Sequence, residues 1–174
     1  MPSVRSLALF TILSCLAGCG YHKAGSATHL PATVHTLEIP IFQNQSQSYH
    51  TEVAMTQAVI REFTSRTPLR VVSSDASGDA DAILRGAVLS EVVTPLTYNS
   101  TTGQSSSFLV TVKAKVTVTD RNSKVLYQNS NYIFRQQFET TADLTSFIQE
   151  NPAAVHRLSR DFAQALVSDI LESF

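Results

Sequence analysis

Residues 108–120, FLVTVKAKVTVTD, alternate in side-chain character over thirteen positions. Phe108, Val110, Val112, Ala114, Val116 and Val118 fall on one side. Leu109, Thr111, Lys113, Lys115, Thr117 and Thr119 fall on the other. Successive strand residues point to opposite faces, so this pattern fits an extended strand with one dry and one wet face. Such a strand belongs to an antiparallel sheet covered on one side only. The turn DRNSK (120–124) joins it to a hairpin partner, VLYQNSNYIFRQQF (125–138).

The dry face needs a cover, and two segments have the right pattern. In TEVAMTQAVIREFTSR (51–66), Met55, Val59 and Phe63 recur every four residues, and Ala58 and Ile60 widen the stripe. Thr51 or His50 stands at its start, Glu52 lies in the first turn and Pro68 stops it. In NPAAVHRLSRDFAQALVSDILESF (151–174), the stripe is Val155, Leu158, Phe162, Ala165, Leu166 and Ile170. Asn151 suits an N-cap and Pro152 the first helical position, with TADLTSFIQE (141–150) as a preceding turn or kinked extension.

Three further strands are expected. In HTLEIPIF (35–42), Leu37, Ile39 and Ile41 share a face, and Pro40 argues for a sheet edge. LRVVSS (69–74) is short. AILRGAVLSEVVT (82–94) is long, ends at Pro95, and carries Gly86 as a bulge or close approach. The polar stretch 97–107 reads as a loop. The expected order β-α-β-β-β-β-α gives an α+β two-layer sandwich. Two amphipathic helices lie on one face of a mostly antiparallel sheet of four to five strands.

The N-terminus is of another kind. Met1–Ser6 carries one charge, Arg5, and Leu7–Leu16 is nearly all apolar. That length suits a secretory signal and falls short of the ~20 residues of a membrane span. Leu16-Ala17-Gly18-Cys19 resembles the lipobox of bacterial lipoproteins. The resemblance implies cleavage before Cys19, diacylglycerol on its thiol and a further acyl chain on its amine. Residues 1–18 are then signal, 19–34 a lipidated tether and 35–174 a single domain. Cys15 leaves with the signal, so Cys19 has no partner for a disulfide or a cysteine-based metal site. Gly20 lacks the inner-membrane retention role of an aspartate there, which implies the outer membrane.

Loss of Arg5 leaves twelve basic and fourteen acidic side chains, a formal net charge of −2, unlike a general nucleic-acid binder. No nucleotide, zinc-protease or serine-hydrolase motif is present, and no cofactor or metal is indicated. His29, His35 and His156 are scattered, and Asp79 and Asp81 read as solvated turn acids. The candidate site is cationic. Lys113 and Lys115 lie ~7 Å apart on one strand face, with Arg85 and Arg135 on adjoining strands. Converging cations could hold phosphates. They also fit a solvated strand face that resists aggregation, and sequence alone favours that plainer reading.

Four motifs occur in order: CGYHKAG (19–25) with LP (30–31), LEIPIFQNQS (37–46), an amphipathic helix, and DAILRGAV (81–88) before a terminal helix. Together they resemble the lipopolysaccharide-assembly lipoprotein family, LptE. The resemblance implies two helices on a four-stranded sheet, and the missing catalytic motifs argue against an enzyme. It also implies a plug for the outer-membrane β-barrel LptD that helps the barrel fold and binds lipopolysaccharide for delivery to the outer leaflet. No motif carries the family's lipopolysaccharide contacts onto single residues here. Uncharged segments such as YNSTTGQSSS (98–107) suit a polar barrel lumen. The alternative is a lipoprotein regulator of a periplasmic cell-wall synthase, told apart by whether a β-barrel or a penicillin-binding protein co-purifies.

Overall fold

A computed structural model describes residues 30–31, 33–73, 80–98, 100, 105–140 and 144–172, without the side chains of 105–106 and 144–150. Residues 1–29, with Cys19 and His29, and Asp79 lie outside these residues. The elements in chain order are β1 (Thr36–Glu38), β2 (Gln43–Asn44), α1 (Thr51–Arg66), β3 (Arg70–Val72), β4 (Ala82–Tyr98), β5 (Ser105–Asp120), β6 (Val125–Glu139) and α2 (Leu144–Glu172).

The strands form one sheet in the order β3-β1-β4-β5-β6, with β2 also on β4. Helix α1 carries the chain back over the sheet, so β3 enters in the direction of β1 and pairs parallel with it. Strands β1 and β2 also run parallel to β4. Only β4-β5-β6 is antiparallel, so the two-layer α+β fold is as expected while the sheet is mixed.

The 35–42 strand corrects the sequence reading. It splits at Pro40, which raises the strand count to six, and β1 is internal, between β3 and β4. Ile39 still donates its N–H to the Val72 carbonyl at 2.9 Å. Phe42 then donates its N–H to Thr56 Oγ1 at 3.0 Å, and that hydroxyl donates to the Glu52 carbonyl. This pulls Phe42 inward and slips the alternation by one residue. Leu37 and Ile39 are buried, but Ile41 is 68% exposed. Room for Phe42 comes from Gly86, where an added Cβ would lie 2.5 Å from the ring. Gly86 is thus a close approach, and the bulge lies between Val88 and Ser90.

The inward residues Val110, Val112, Ala114, Val116 and Val118 of β5 are all buried. Helix α1 covers β2, β3 and β4, and α2 covers β6 and β5. Met55, Val59 and Phe63 seal one half; Leu158, Phe162, Leu166 and Ile170 seal the other. Phe162 meets Phe42, Tyr132 and Phe134 edge-on, with centroids 5.4–6.3 Å apart. The core also takes in Leu30 and Val34. Below it, Tyr132 donates its hydroxyl to Asp169 Oδ2 at 2.7 Å and bonds the Tyr127 hydroxyl, tying β6 to the last turns of α2. Burial, then these bonds, raise the Tyr132 hydroxyl pKa above the ordinary tyrosine range.

Two expected ends are also corrected. Helix α2 begins at Leu144, so Pro152 is interior and Asn151 is no N-cap; its Oδ1 is buried without a partner. Strand β4 runs through Pro95 to Tyr98, and β5 starts at Ser105, so strand replaces both sides of the expected loop. At the start of α1, His50 takes the cap with φ 66° and no side-chain bond, while Thr51 hydrogen-bonds Glu91.

Candidate functional site

The sheet face away from the helices has no cover among the described residues. Register places all four sequence-derived cations on it. Arg85 stands opposite Thr117, Lys115 opposite Ala87, Lys113 between Ser90 and Ile133, and Arg135 opposite Thr111. Each of these rows faces outward, because the alternate rows hold the buried Val112, Ala114 and Val116. The cations therefore form a diagonal across three strands. Successive members sit one diagonal step apart, ~7–8 Å for neighbouring strands. All four side chains are exposed.

No carboxylate interrupts this diagonal among the described residues. Glu38 is on the outward face beside Ile83, at one end, and Glu139 is opposite Ser107, at the other. Glu91 lies between them in sequence, but the bulge after Val88 turns it to the helix side, where its Oε2 accepts the Thr51 hydroxyl. Arg70 adds a fifth outward cation on β3, opposite Thr36. Sequence reasoning passed it over because a three-residue strand is too short to show alternation.

Only part of the diagonal shares a cavity. A shallow cavity of about 370 Å³ is lined by Arg85, Lys115, Thr117, Gln43, Pro40 and Ile41 among others. Two cations therefore meet an exposed apolar side chain in one depression. Lys113 is one outward position farther along β5, and Arg135 lies beyond it on β6; neither lines the cavity. Ile41 was expected on the same face as Leu37 and Ile39, and only the slip at Phe42 brings it here.

The other candidates fall away. Asp81 is not a solvated turn acid. Its Oδ2 accepts the N–H groups of His35 and Thr36 at 2.9 Å each, and its Oδ1 pairs with Arg121 at 3.0 Å. The backbone bond from His35, then that from Thr36, holds its carboxyl below the ordinary aspartate range, with Arg121 adding to the effect. This is a clasp between β1 and β4. His156 is exposed on α2. No group of three or more potential metal ligands occurs among the described residues. No described helix is long and apolar enough to cross a membrane.

Comparison with solved structures gives the same architecture at low identity. A lipoprotein from Caulobacter crescentus superposes with a TM-score of 0.53 at 9% identity, covering 75% of this chain and 87% of that one. Lipoprotein B from Nitrosomonas europaea gives 0.52 at 13% identity, with 81% and 88% covered. A minor lipoprotein from Acinetobacter baumannii gives 0.50 at 13%, with 82% and 95% covered. At these identities the likeness concerns the fold alone. No curated protein matches in sequence. The family profile for LptE, lipopolysaccharide-assembly, matches residues 34–170, which span the whole sheet, α1 and α2 as far as Ile170. The chain belongs to the LptE lipopolysaccharide-assembly family.

Proposed function

We propose that the protein is an outer-membrane lipoprotein, anchored through Cys19 on the periplasmic side. In this reading it plugs and assists assembly of the LptD β-barrel and binds lipopolysaccharide for delivery to the outer leaflet. Family membership supports the assembly role. The observation that carries the ligand is the open sheet face, where Arg85 and Lys115 share a cavity with Ile41 and Lys113 and Arg135 continue the cationic line. Lipid A presents phosphates beside acyl chains, and this face presents cations beside exposed apolar surface. Charge-assisted hydrogen bonds contribute ~1.5–3 kcal/mol each, less where solvent and salt screen them. Anchoring by acyl chains follows from ~0.8 kcal/mol for each buried CH₂.

The test is lipopolysaccharide binding to the domain lacking Cys19. The variants are Lys113→Glu with Lys115→Glu, and Arg85→Glu with Lys115→Glu, at two salt concentrations. Both pairs should weaken binding about tenfold or more at low salt, equivalent to ~1.4 kcal/mol or more, and the loss should shrink at high salt. Unchanged affinity at low salt would return these residues to a solvated strand face.

A further inference from the structure

Strand β4 has a column of backbone partners on the side away from β5, and the described residues fill only the first half of it. Strand β1 pairs with Ala82 and Ile83, and β2 pairs with Ala87 and Val88. The last bond is from Gln45 N–H to the Val88 carbonyl at 2.8 Å. The chain then turns away through Ser46–His50 into α1. Among the described residues, no strand pairs with β4 on that side beyond Val88.

The orientation of the open groups follows from that bond. Val88 turns its peptide groups toward β2, and the bulge before Ser90 restarts the alternation. Ser90, Val92 and Thr94 then bond β5, opposite Lys113, Thr111 and Leu109. Glu91 and Val93 turn both N–H and C=O to the empty side, and Pro95 turns its carbonyl there. This explains how Pro95 sits within a strand: its missing donor costs β5 nothing. The open stretch is bounded by a bulge at one end and a proline at the other.

Side-chain exposure marks the same place. Of six large apolar side chains exposed among the described residues, four lie here: Tyr49, Val92, Leu96 and Tyr98. Tyr49 meets His50 edge-on with ring centroids 3.9 Å apart, and both line a cavity of about 280 Å³ with Glu91. The stretch from Leu89 to Tyr98 has one charged residue, Glu91, already engaged by Thr51.

We propose that the free edge of β4 at Glu91–Pro95 is completed by an extended, uncharged segment of the barrel partner, added as a strand; this rests on the reading above. Rows of open N–H and C=O groups are matched by another peptide backbone. The column continues the line of β1 and β2, so the added strand extends an existing sheet. Self-pairing of two copies fits poorly. A twofold pairing of such a short stretch would bring both Tyr49–His50 loops over the same few rungs.

The experiment uses the full-length, lipidated protein purified by affinity from detergent-solubilised outer membrane. Val93→Pro deletes one edge N–H and leaves the β4–β5 bonds, while Val93→Ala trims the side chain and keeps that N–H. Thermal unfolding of both variants verifies folding. A photoreactive phenylalanine analogue at Val92, with Gln128 on β6 as control, reports the neighbour. Wild type and Val93→Ala should capture the barrel, Val93→Pro should capture about tenfold less, and Val92 but not Gln128 should cross-link to it. A folded Val93→Pro that captures barrel like wild type overturns the proposal, as does a Val92 cross-link only to a second copy or to no polypeptide. Failure of the underlying reading looks different: the wild type brings down no barrel.

Discussion

Val112 and Lys113 are adjacent in β5, yet one is sealed beneath the helices and the other stands in water. The two faces of this strand differ in what a substitution can disturb. On the helix side the residues are buried beneath α1 and α2, so removing atoms leaves a hole. On the open side each residue touches strand neighbours and solvent, so its removal changes charge and shape and little else. The covered face is therefore where stability is concentrated, and the open face is free to vary for binding.

The contrast can be broken most sharply at Phe162. Its ring contacts Phe42, Tyr132 and Phe134, and it is fully buried. Phe162→Ala should lower stability by ~3–5 kcal/mol in denaturant unfolding. A loss below ~1 kcal/mol would mean that this face is not the main core.

Gly86→Ala sharpens the comparison, because Gly86 is where the two faces are coupled. The new methyl would meet the Phe42 ring at 2.5 Å. Overpacking of this kind costs ~1–3 kcal/mol. Moving Phe42 should also shift Ile41, its neighbour in the cationic cavity. Stability and lipopolysaccharide affinity should therefore fall together, as read by unfolding and by binding to the domain lacking Cys19. Loss of stability with affinity unchanged would separate the faces.

The smallest effect is expected at Thr117, outward on β5 between Arg85 and Gln128. Thr117→Ala should change stability by no more than ~0.5 kcal/mol. A midpoint shift as large as that of Phe162→Ala would show that the face assignment is wrong.

Much of this layout could be read from the chain. The alternation of 108–120 separated Val112 from Lys113, and the four-residue spacing of Met55, Val59 and Phe63 gave the cover. The alternation also marks Lys113 and Lys115 as outward, and register places Arg85 and Arg135 on the same open face. Their division was not legible: Arg85 and Lys115 share a cavity while Lys113 and Arg135 do not. Nor was Ile41, whose place depends on a hydrogen bond from its neighbour Phe42 to Thr56, fourteen residues from Phe42. The clasp at Asp81 is not legible in sequence because its partners His35, Thr36 and Arg121 lie about forty residues away on either side.

By itself, then, the sequence determined the two helical covers and the long strand β5, and which side of each is dry. Periodicity is a local property, and apolar burial acts on it wherever the segment finally packs. Tertiary structure alone decided the parallel placement of β1 and β3 and the slip that exposes Ile41. It also decided the bulge that turns Glu91 inward and the stretch of β4 that has no strand neighbour among the described residues. Each depends on register, and a shift of one residue exchanges the two faces of a strand. Register is settled by contacts between residues far apart in the chain, so no short window of sequence contains it.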